Sequence, residues 1–368
     1  MKLEIIKECG WKKIYINILD SNHQSVRKEL LNFNNKKALI YFNLSKEKFY
    51  FLSNEKGYIT EVVIISELTN KVSIKYNKKT KKYYINLIDD VNLYGCVNSV
   101  VLKDNKNLWF RPNKAKKIDI IIPKNYNKNK QYPLLIMFDG QNLFDKNNTS
   151  NYTSKNDPYG SWQVDISMSN LSKKTNKEFI VVGIEHTDIW RTNELLTETT
   201  KFPLKHKELL EENERIGYID YLDNFINETL LPYLTSNYSI DINNIGIGGS
   251  SMGGLGCHYI GLKNLGKYKF ILSFTPASAL ITDLAWLDFY QELNFKENID
   301  KLPIFYFFQG NNGELENLLY EGYKELINNL IKSSYPNSLI KSYIEPSAEH
   351  NEIAWRYAFN YMIYDIFK

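Results

Sequence analysis

A five-residue stretch, Gly249-Ser250-Ser251-Met252-Gly253, limits the fold more than any other part of this chain. It follows the short apolar run Ile245-Gly246-Ile247-Gly248 and precedes the small-residue run Gly254-Leu255-Gly256-Cys257-His258-Tyr259-Ile260. Strand, G-x-S-x-G and helix in that order put a serine on a tight, strained turn at the edge of a sheet, with its hydroxyl projecting above the strand tips. The flanking glycines are required because a Cβ at either position would collide with the turn or a neighbouring strand. Ser251 is therefore the candidate nucleophile. A Gly/Ser turn without chemistry fits the same letters, so the remaining chain has to supply the partners.

With 368 residues the chain is long for one domain and comfortable for two. The net charge of +4 is small, and the lysines are scattered among Asn, Asp and Glu, which gives no case for a nucleic-acid partner. Cys9, Cys96 and Cys257 lie far apart, a pattern that suits neither a disulfide framework nor a zinc knuckle. The N-terminus carries charges where a signal peptide needs an apolar core. No apolar run approaches the roughly 18 residues of a membrane helix. These features predict a cytoplasmic protein with no membrane span; they leave its oligomeric state open.

Residues 1–95 read as a small antiparallel β-sandwich. Short β-branched or aromatic runs at 13–18, 39–42, 62–65 and 83–87 are separated by polar Asn/Lys/Gly pieces. The texture changes near residue 97, and 96–368 reads as one α/β domain. Strands are predicted around 97–102 and 118–122, then at the continuous apolar runs 132–138 and 179–184. A helix over 218–233 carries Ile219, Leu222, Ile226 and Leu230 on one stripe. The elbow strand follows, then strands at 270–274, 304–308 and 340–344. Helices are predicted at 315–331, with Leu315, Leu319, Tyr323, Leu326 and Leu330 on one face, and at 352–367. Alternating strands and helices imply a mainly parallel sheet covered on both sides, whose ligands gather at the C-terminal strand ends.

A serine hydroxyl needs a base in hydrogen-bond reach, and the base needs an orienting acid. The expected chain order in this architecture is serine, acid, histidine. His23, His186 and His206 precede the serine, and His258 sits two turns down the elbow helix, where it reads as a packing or surface residue. His350 remains, in the polar loop 346–352 between the last strand and the last helix. The acid should follow the strand at 304–308. Glu314 is the first choice and Glu316 the alternative, with Asp283 and Asp288 after the preceding strand. A Glu in the first turn of a helix is also favoured by the helix dipole without any catalytic role. Two donors should face the developing oxyanion: the backbone N–H of Met252, and that of Gln141 in the loop after residue 138, where Gly140 permits a sharp turn. Asp139 could tie that loop down by hydrogen bonds.

Several ordered segments resemble the putative-esterase family of α/β-hydrolases, the group of esterase D and the enterochelin-esterase-like proteins. They are Ile122-Pro123-Lys124-Asn125-Tyr126, the loop from Met137 to Asp145, Gly183-Ile184-Glu185 followed by Arg191-Thr192-Asn193-Glu194, Leu230-Leu231-Pro232-Tyr233 with Tyr238, the elbow itself, and His350 with Trp355. The resemblance covers about residues 97–368. It implies an α/β-hydrolase fold and a serine hydrolase that cleaves carboxylic esters through an acyl-enzyme on Ser251, with His350 as base and no metal or cofactor. Many relatives carry an N-terminal β-sandwich. The chain departs from the family at the acid, where Gly310 and Glu314 stand one residue further apart than in the family's pattern.

The same triad could pass its acyl group to an alcohol, and a silenced hydrolase fold could serve as a binding protein. Arg191 could contact a polar part of a small-molecule ester or be structural, paired with Glu194 or another acid. Residues 154–162, with Trp162, and the stretch after Trp190 are expected to line the pocket. None of them names the ester.

Overall fold

Eight short strands arise from the first 87 residues: β1 (Lys2–Lys7), β2 (Ile14–Leu19), β3 (Ser25–Leu30), β4 (Lys37–Tyr41), β5 (Phe49–Asn54), β6 (Val63–Ile64), β7 (Lys71–Tyr76) and β8 (Tyr83–Leu87). The computed structural model describes residues 1–89, 92–103, 115–145 and 159–367, and of Asp188 only the backbone. Two four-stranded sheets result, ordered β4-β1-β7-β8 and β3-β2-β5-β6. Neighbours pair antiparallel except β1 and β7, which run parallel from Glu4↔Lys71 to Lys7↔Ile74. The expected all-antiparallel sandwich is corrected on this point: the first strand enters between β4 and β7, and a long connection permits the parallel sense. Leu3, Ile5, Ile14, Ile16, Ile18, Leu52, Val72 and Ile74 form the core. Strands β1, β3 and β7 escape the sequence reading because Lys, Arg, Glu or Ser interrupts their apolar residues, and β5 escapes it although Phe49-Tyr50-Phe51-Leu52 is an unbroken apolar run.

This first compact unit comprises Met1–Gly95, Asn142–Glu178 and Asn351–Lys368; the second comprises Cys96–Gln141 and Phe179–His350. The sequence predicts 96–368 as a single domain, whereas the structure groups 142–178 and 351–368 with the sandwich. The physical reason is burial. Ile353 and Tyr357 of the Glu352–Phe367 helix join the core of the first unit, and the Tyr357 hydroxyl donates to the Ile85 carbonyl (2.6 Å).

In the second unit an eight-stranded sheet is built from β9 (Asn98–Lys103), β10 (Ala115–Ile121), β11 (Tyr132–Phe138), β12 (Ile180–Ile184), β13 (Ile240–Ser250), β14 (Tyr268–Phe274), β15 (Ile304–Gly310) and β16 (Ile340–Glu345). The order is β16-β15-β14-β13-β11-β12-β10-β9. Pairing is parallel from β16 through β12, and β10 runs antiparallel to both of its neighbours. Leu134, Ile136, Val182, Ile247, Ile271 and Phe307 pack in the main core with Ile219, Leu222, Leu255, Ile260, Leu319 and Tyr323 from helices. Side chains of opposite sense along the strands, such as Leu135, Met137, Leu272 and Phe308, are equally buried. That double burial explains why these strands read as continuous apolar runs. This is an α/β-hydrolase fold with a mainly parallel sheet, preceded by an all-β region.

The helix predicted over 218–233 forms as Ile219–Phe225 and Leu231–Asn237, joined by one wider turn at Ile226–Leu230. Pro232 lacks the N–H that a regular helix would need there, and the backbone widens instead. Ile219, Leu222, Ile226 and Leu230 are buried as the stripe predicts. Among the described residues no helix is long and apolar enough to cross a membrane.

Candidate active site

Ser251 is the point where β13 becomes a helix, and its backbone stands at φ 56° and ψ −119°. A side chain rarely adopts such a conformation, which costs about 1–3 kcal/mol and needs external support. Three hydrogen bonds supply it. The Ser251 N–H donates to the Phe274 carbonyl (2.9 Å), and the Ser251 carbonyl accepts from the amides of Leu255 and Ala277 (both 3.0 Å). A Cβ on Gly249 would lie 2.7 Å from the carbonyl carbon of Gly253. A Cβ on Gly253 would lie 3.1 Å from Asp139 Oδ2 and 3.3 Å from Phe138 Cβ. Close backbone packing thus requires glycine at position 249, while Gly253 sits tightly against the side chains of Asp139 and Phe138.

Along the parallel strands the register links Ser250 to Phe274, Phe274 to Phe308 and Phe308 to Tyr343. The loops after β13, β15 and β16 therefore leave from one edge of the sheet. Those loops carry Ser251, the start of the Glu314–Lys332 helix, and His350. His350 Nδ1 lies 2.8 Å from Glu316 Oε1. A carboxylate only accepts, so the pair fixes the proton on Nδ1 and leaves Nε2 as the basic nitrogen.

Of the two glutamates expected after β15, the structure brings the alternative, Glu316, to His350. Glu314, the first residue of its helix, is exposed, whereas Glu316 is 1% exposed and faces the imidazole. Gly313, at φ 100°, turns the chain immediately before the helix, so Glu314 and Leu315 stay outside while Glu316 joins the inward stripe of Leu319, Tyr323, Leu326 and Leu330. Asp283 is engaged elsewhere, its Oδ1 accepting from Asn329 Nδ2 (3.0 Å), and Asp288 is exposed.

The second Glu316 oxygen has its own donor. Gln309 Nε2, at the end of β15, lies 2.9 Å from Glu316 Oε2. Sequence reasoning passed over Gln309. Its signal was a single amide closing the otherwise apolar or aromatic run from Ile304 to Phe308.

Met252 begins the Met252–Lys263 helix, so its N–H has no acceptor within the helix. The loop with Gln141 leaves from β11, the neighbour of β13, with Met137 in register with Gly248. Asp139 carries the positive φ in this loop (55°). Gly140 is required for another reason: a Cβ there would lie 2.6 Å from the carbonyl carbon of Gly183. Gln141 is buried, and its Oε1 accepts from the His186 N–H (3.3 Å).

Asp139 is gripped by Arg191 through two parallel bonds, Nε to Oδ1 (2.6 Å) and Nη2 to Oδ2 (2.7 Å). Burial pushes the Asp139 carboxyl up; the charge and hydrogen bonds of Arg191, helped by His186 and Gln141, outweigh burial and hold it below the usual carboxylate range. The Glu194 carboxylate lies beside the buried Lys116 (2.8 Å).

Trp162 was expected to line the pocket. It is 2% exposed and packs against Trp355 (5.5 Å between ring centroids) and Phe359 in the first unit, which corrects it to a core residue. Of the stretch expected to line the pocket, residues 154–158 lie outside the described residues. His258 is a packing residue: it is buried, stacks on Phe305 (4.9 Å) and meets the Tyr290 hydroxyl through Nε2 (2.6 Å). Burial lowers its pKa to about 3.

Among curated proteins no match is found. Several solved structures share the fold. A siderophore hydrolase, EstA from Aspergillus nidulans, aligns at a TM-score of 0.54 with 14% identity, covering 74% of this chain and 95% of that one. A CE1 ferulic acid esterase from Anaeromyces mucronatus aligns at 0.51 with 18% identity, over 76% and 92%. An IroE-like serine hydrolase from Shewanella oneidensis aligns at 0.51 with 16% identity, over 74% and 80%. Identities this low establish likeness of fold alone. The sequence itself matches the model of the family described as Putative esterase over residues 111–363, a span that contains the elbow, Glu316 and His350. The chain therefore belongs to the Putative esterase family of α/β-hydrolases.

Proposed function

We propose that this chain is a serine carboxylic ester hydrolase working through an acyl-enzyme on Ser251. Ser251 Oγ attacks the ester carbonyl while His350 Nε2 takes its proton. The backbone amides of Met252 and Gln141 receive the oxyanion. His350 returns the proton to the leaving alcohol, and the C–O bond to that alcohol breaks. A water molecule then gives a proton to His350, attacks the acyl carbonyl and releases the acid, returning the proton to Ser251. Glu316 holds the imidazole by its Nδ1–H and stabilises the imidazolium that forms twice in the cycle.

The observation that carries the reading is the 2.8 Å contact between His350 Nδ1 and Glu316 Oε1, on loops that leave the same sheet edge as the strained serine. An imidazole with one nitrogen on a buried carboxylate is equipped as a base at the other. Because the structural neighbours include ferulic acid esterases and siderophore hydrolases, esters of ferulic acid and of siderophores are the first substrates to assay. A fluorophosphonate probe tests the chemistry directly. It should label the protein and fail to label Ser251→Ala; equal labelling of both would overturn the proposal.

A further inference from the structure

We infer that Gln309 is a positioning residue for this reaction, holding Glu316 so that one carboxylate oxygen faces His350. The inference rests on the triad reading above and names a group on which that triad depends. Gln309 is 0% exposed. Its Nε2 lies 2.9 Å from Glu316 Oε2 and 3.0 Å from the Gly310 carbonyl oxygen. Both of those atoms only accept, so the amide can present only its nitrogen to them and its orientation is set. The Oε1 atom is then buried without a hydrogen-bond partner among the described residues. An unpaired buried oxygen is a cost, and the contact with Glu316 offsets it.

Glu316 needs that contact. A carboxylate at 1% exposure has to be met by donors or it loses its charge. The donors facing it are His350 Nδ1 on Oε1 and Gln309 Nε2 on Oε2. The last torsion of a glutamate side chain is soft, so a donor on one oxygen alone leaves the carboxylate plane poorly defined. A donor on each oxygen defines it. Gly310 completes the seat, since a Cβ there would lie 3.2 Å from Glu316 Cδ and 2.5 Å from the Ala348 carbonyl oxygen. A single Gln-Gly pair at the end of β15 thus fixes the acid, and through it the tautomer and plane of the imidazole.

The test uses the full chain with p-nitrophenyl butyrate, comparing Gln309→Leu, Gln309→Glu and Ser251→Ala with wild type. Without its donor, Glu316 either turns from His350 or takes up a proton. In both cases the imidazolium loses its partner. Gln309→Leu should therefore lower kcat about 10- to 100-fold with KM nearly unchanged, and move the acidic limb of the kcat/KM profile to lower pH. Gln309→Glu keeps a donor only while protonated, because two facing carboxylates share one proton. Its activity relative to wild type should fall as pH rises.

A second readout needs no turnover. The imidazole Nδ1–H proton should give a low-field NMR resonance, identified by its loss in His350→Ala. It should shift or broaden in Gln309→Leu. Unchanged kcat, pH profile and resonance in folded Gln309→Leu, even with a lowered Tm, would make Gln309 a packing residue and overturn the inference. If Gln309→Leu does not fold, a Gln309→Glu activity ratio that is flat with pH would overturn it. Absence of turnover in wild type, or turnover retained by Ser251→Ala, would instead overturn the serine-hydrolase reading, and the inference would fall with it.

Discussion

Glu316 meets His350 across 2.8 Å, while Glu314, on the same turn of helix, faces solvent. The two carboxylates should therefore behave oppositely. Glu316→Gln removes the charge that steadies the imidazolium and allows the wrong tautomer, and should lower kcat by ~10²–10⁴. Glu314→Gln should stay within about twofold of wild type, since its side chain is exposed in the first turn of the helix, where only the helix dipole favours its charge. Steady-state kinetics of the two variants check this; the reverse ranking would show that the acid is Glu314.

Why Glu314 stood ahead of the glutamate that meets His350 is itself instructive. The apolar stripe Leu319, Tyr323, Leu326, Leu330 extends backward equally well to Leu315, four residues earlier, or to position 316, three earlier. Hydrophobicity favours Leu315. The structure exposes Leu315 (48%) and buries Glu316, because the turn at Gly313 starts the helix so that position 316, not 315, joins the inward stripe. Hydrophobic patterning cannot anticipate a polar residue that is buried for its partner. The same blindness hid Gln309 and the Lys116–Glu194 pair. By contrast, the strained turn at Ser251 and the place of His350 between the last strand and the last helix were legible, since one is written as strand–turn–helix and the other lies in a polar loop. The parallel strands were legible because burial on both faces writes them as unbroken apolar runs, whereas the mixed strands of the first unit were seen only in part.

Arg191 and Asp139 offer a second prediction. The pair clamps the loop that carries Gln141, and Asp139 Oδ2 lies 3.1 Å from where a Gly253 Cβ would sit. Arg191→Met should lower kcat about 10- to 100-fold through displacement of the loop and destabilise the fold by about 2 kcal/mol near neutral pH. Arg191→Lys should rescue little, lacking the planar fork. Because the folded pKa of Asp139 is depressed, its stabilisation is present above the ordinary carboxylate range and lost as pH falls through the folded value. The Tm gap between wild type and Arg191→Met should therefore narrow on acidification. A gap independent of pH would contradict the clamp.

Gly310→Ala places a Cβ 2.5 Å from the Ala348 carbonyl oxygen. That carbonyl also accepts from the Asn312 amide, so the loop bearing His350 has to move. A loss of about 1–3 kcal/mol in denaturant unfolding is expected, together with reduced kcat. Gly10→Ala, with nothing within 4 Å of its added Cβ, serves as the control. Equal stability of the two variants would refute the close-packing account.

His258 predicts an acid sensitivity unrelated to catalysis. Burial depresses its folded pKa from 6.5 to about 3. Its stabilisation is whole above the unfolded value and is lost as pH falls from there towards 3, a difference on the order of a few kcal/mol. His258→Phe, packed against Phe305 and Trp286, should lose less Tm than wild type between pH 7 and pH 4.5. Parallel Tm profiles would show that the histidine does not govern the acid response.

The central claim is that Ser251 is the nucleophile of an ester hydrolase, and one comparison tests it most directly. Hydrolysis of p-nitrophenyl butyrate by wild type and by Ser251→Ala would be measured side by side, with matched circular dichroism spectra. The account predicts clear turnover by wild type and a loss of at least ~10⁴-fold in the variant. Equal rates in the two proteins, or no hydrolysis of this or any ester by wild type, would contradict it.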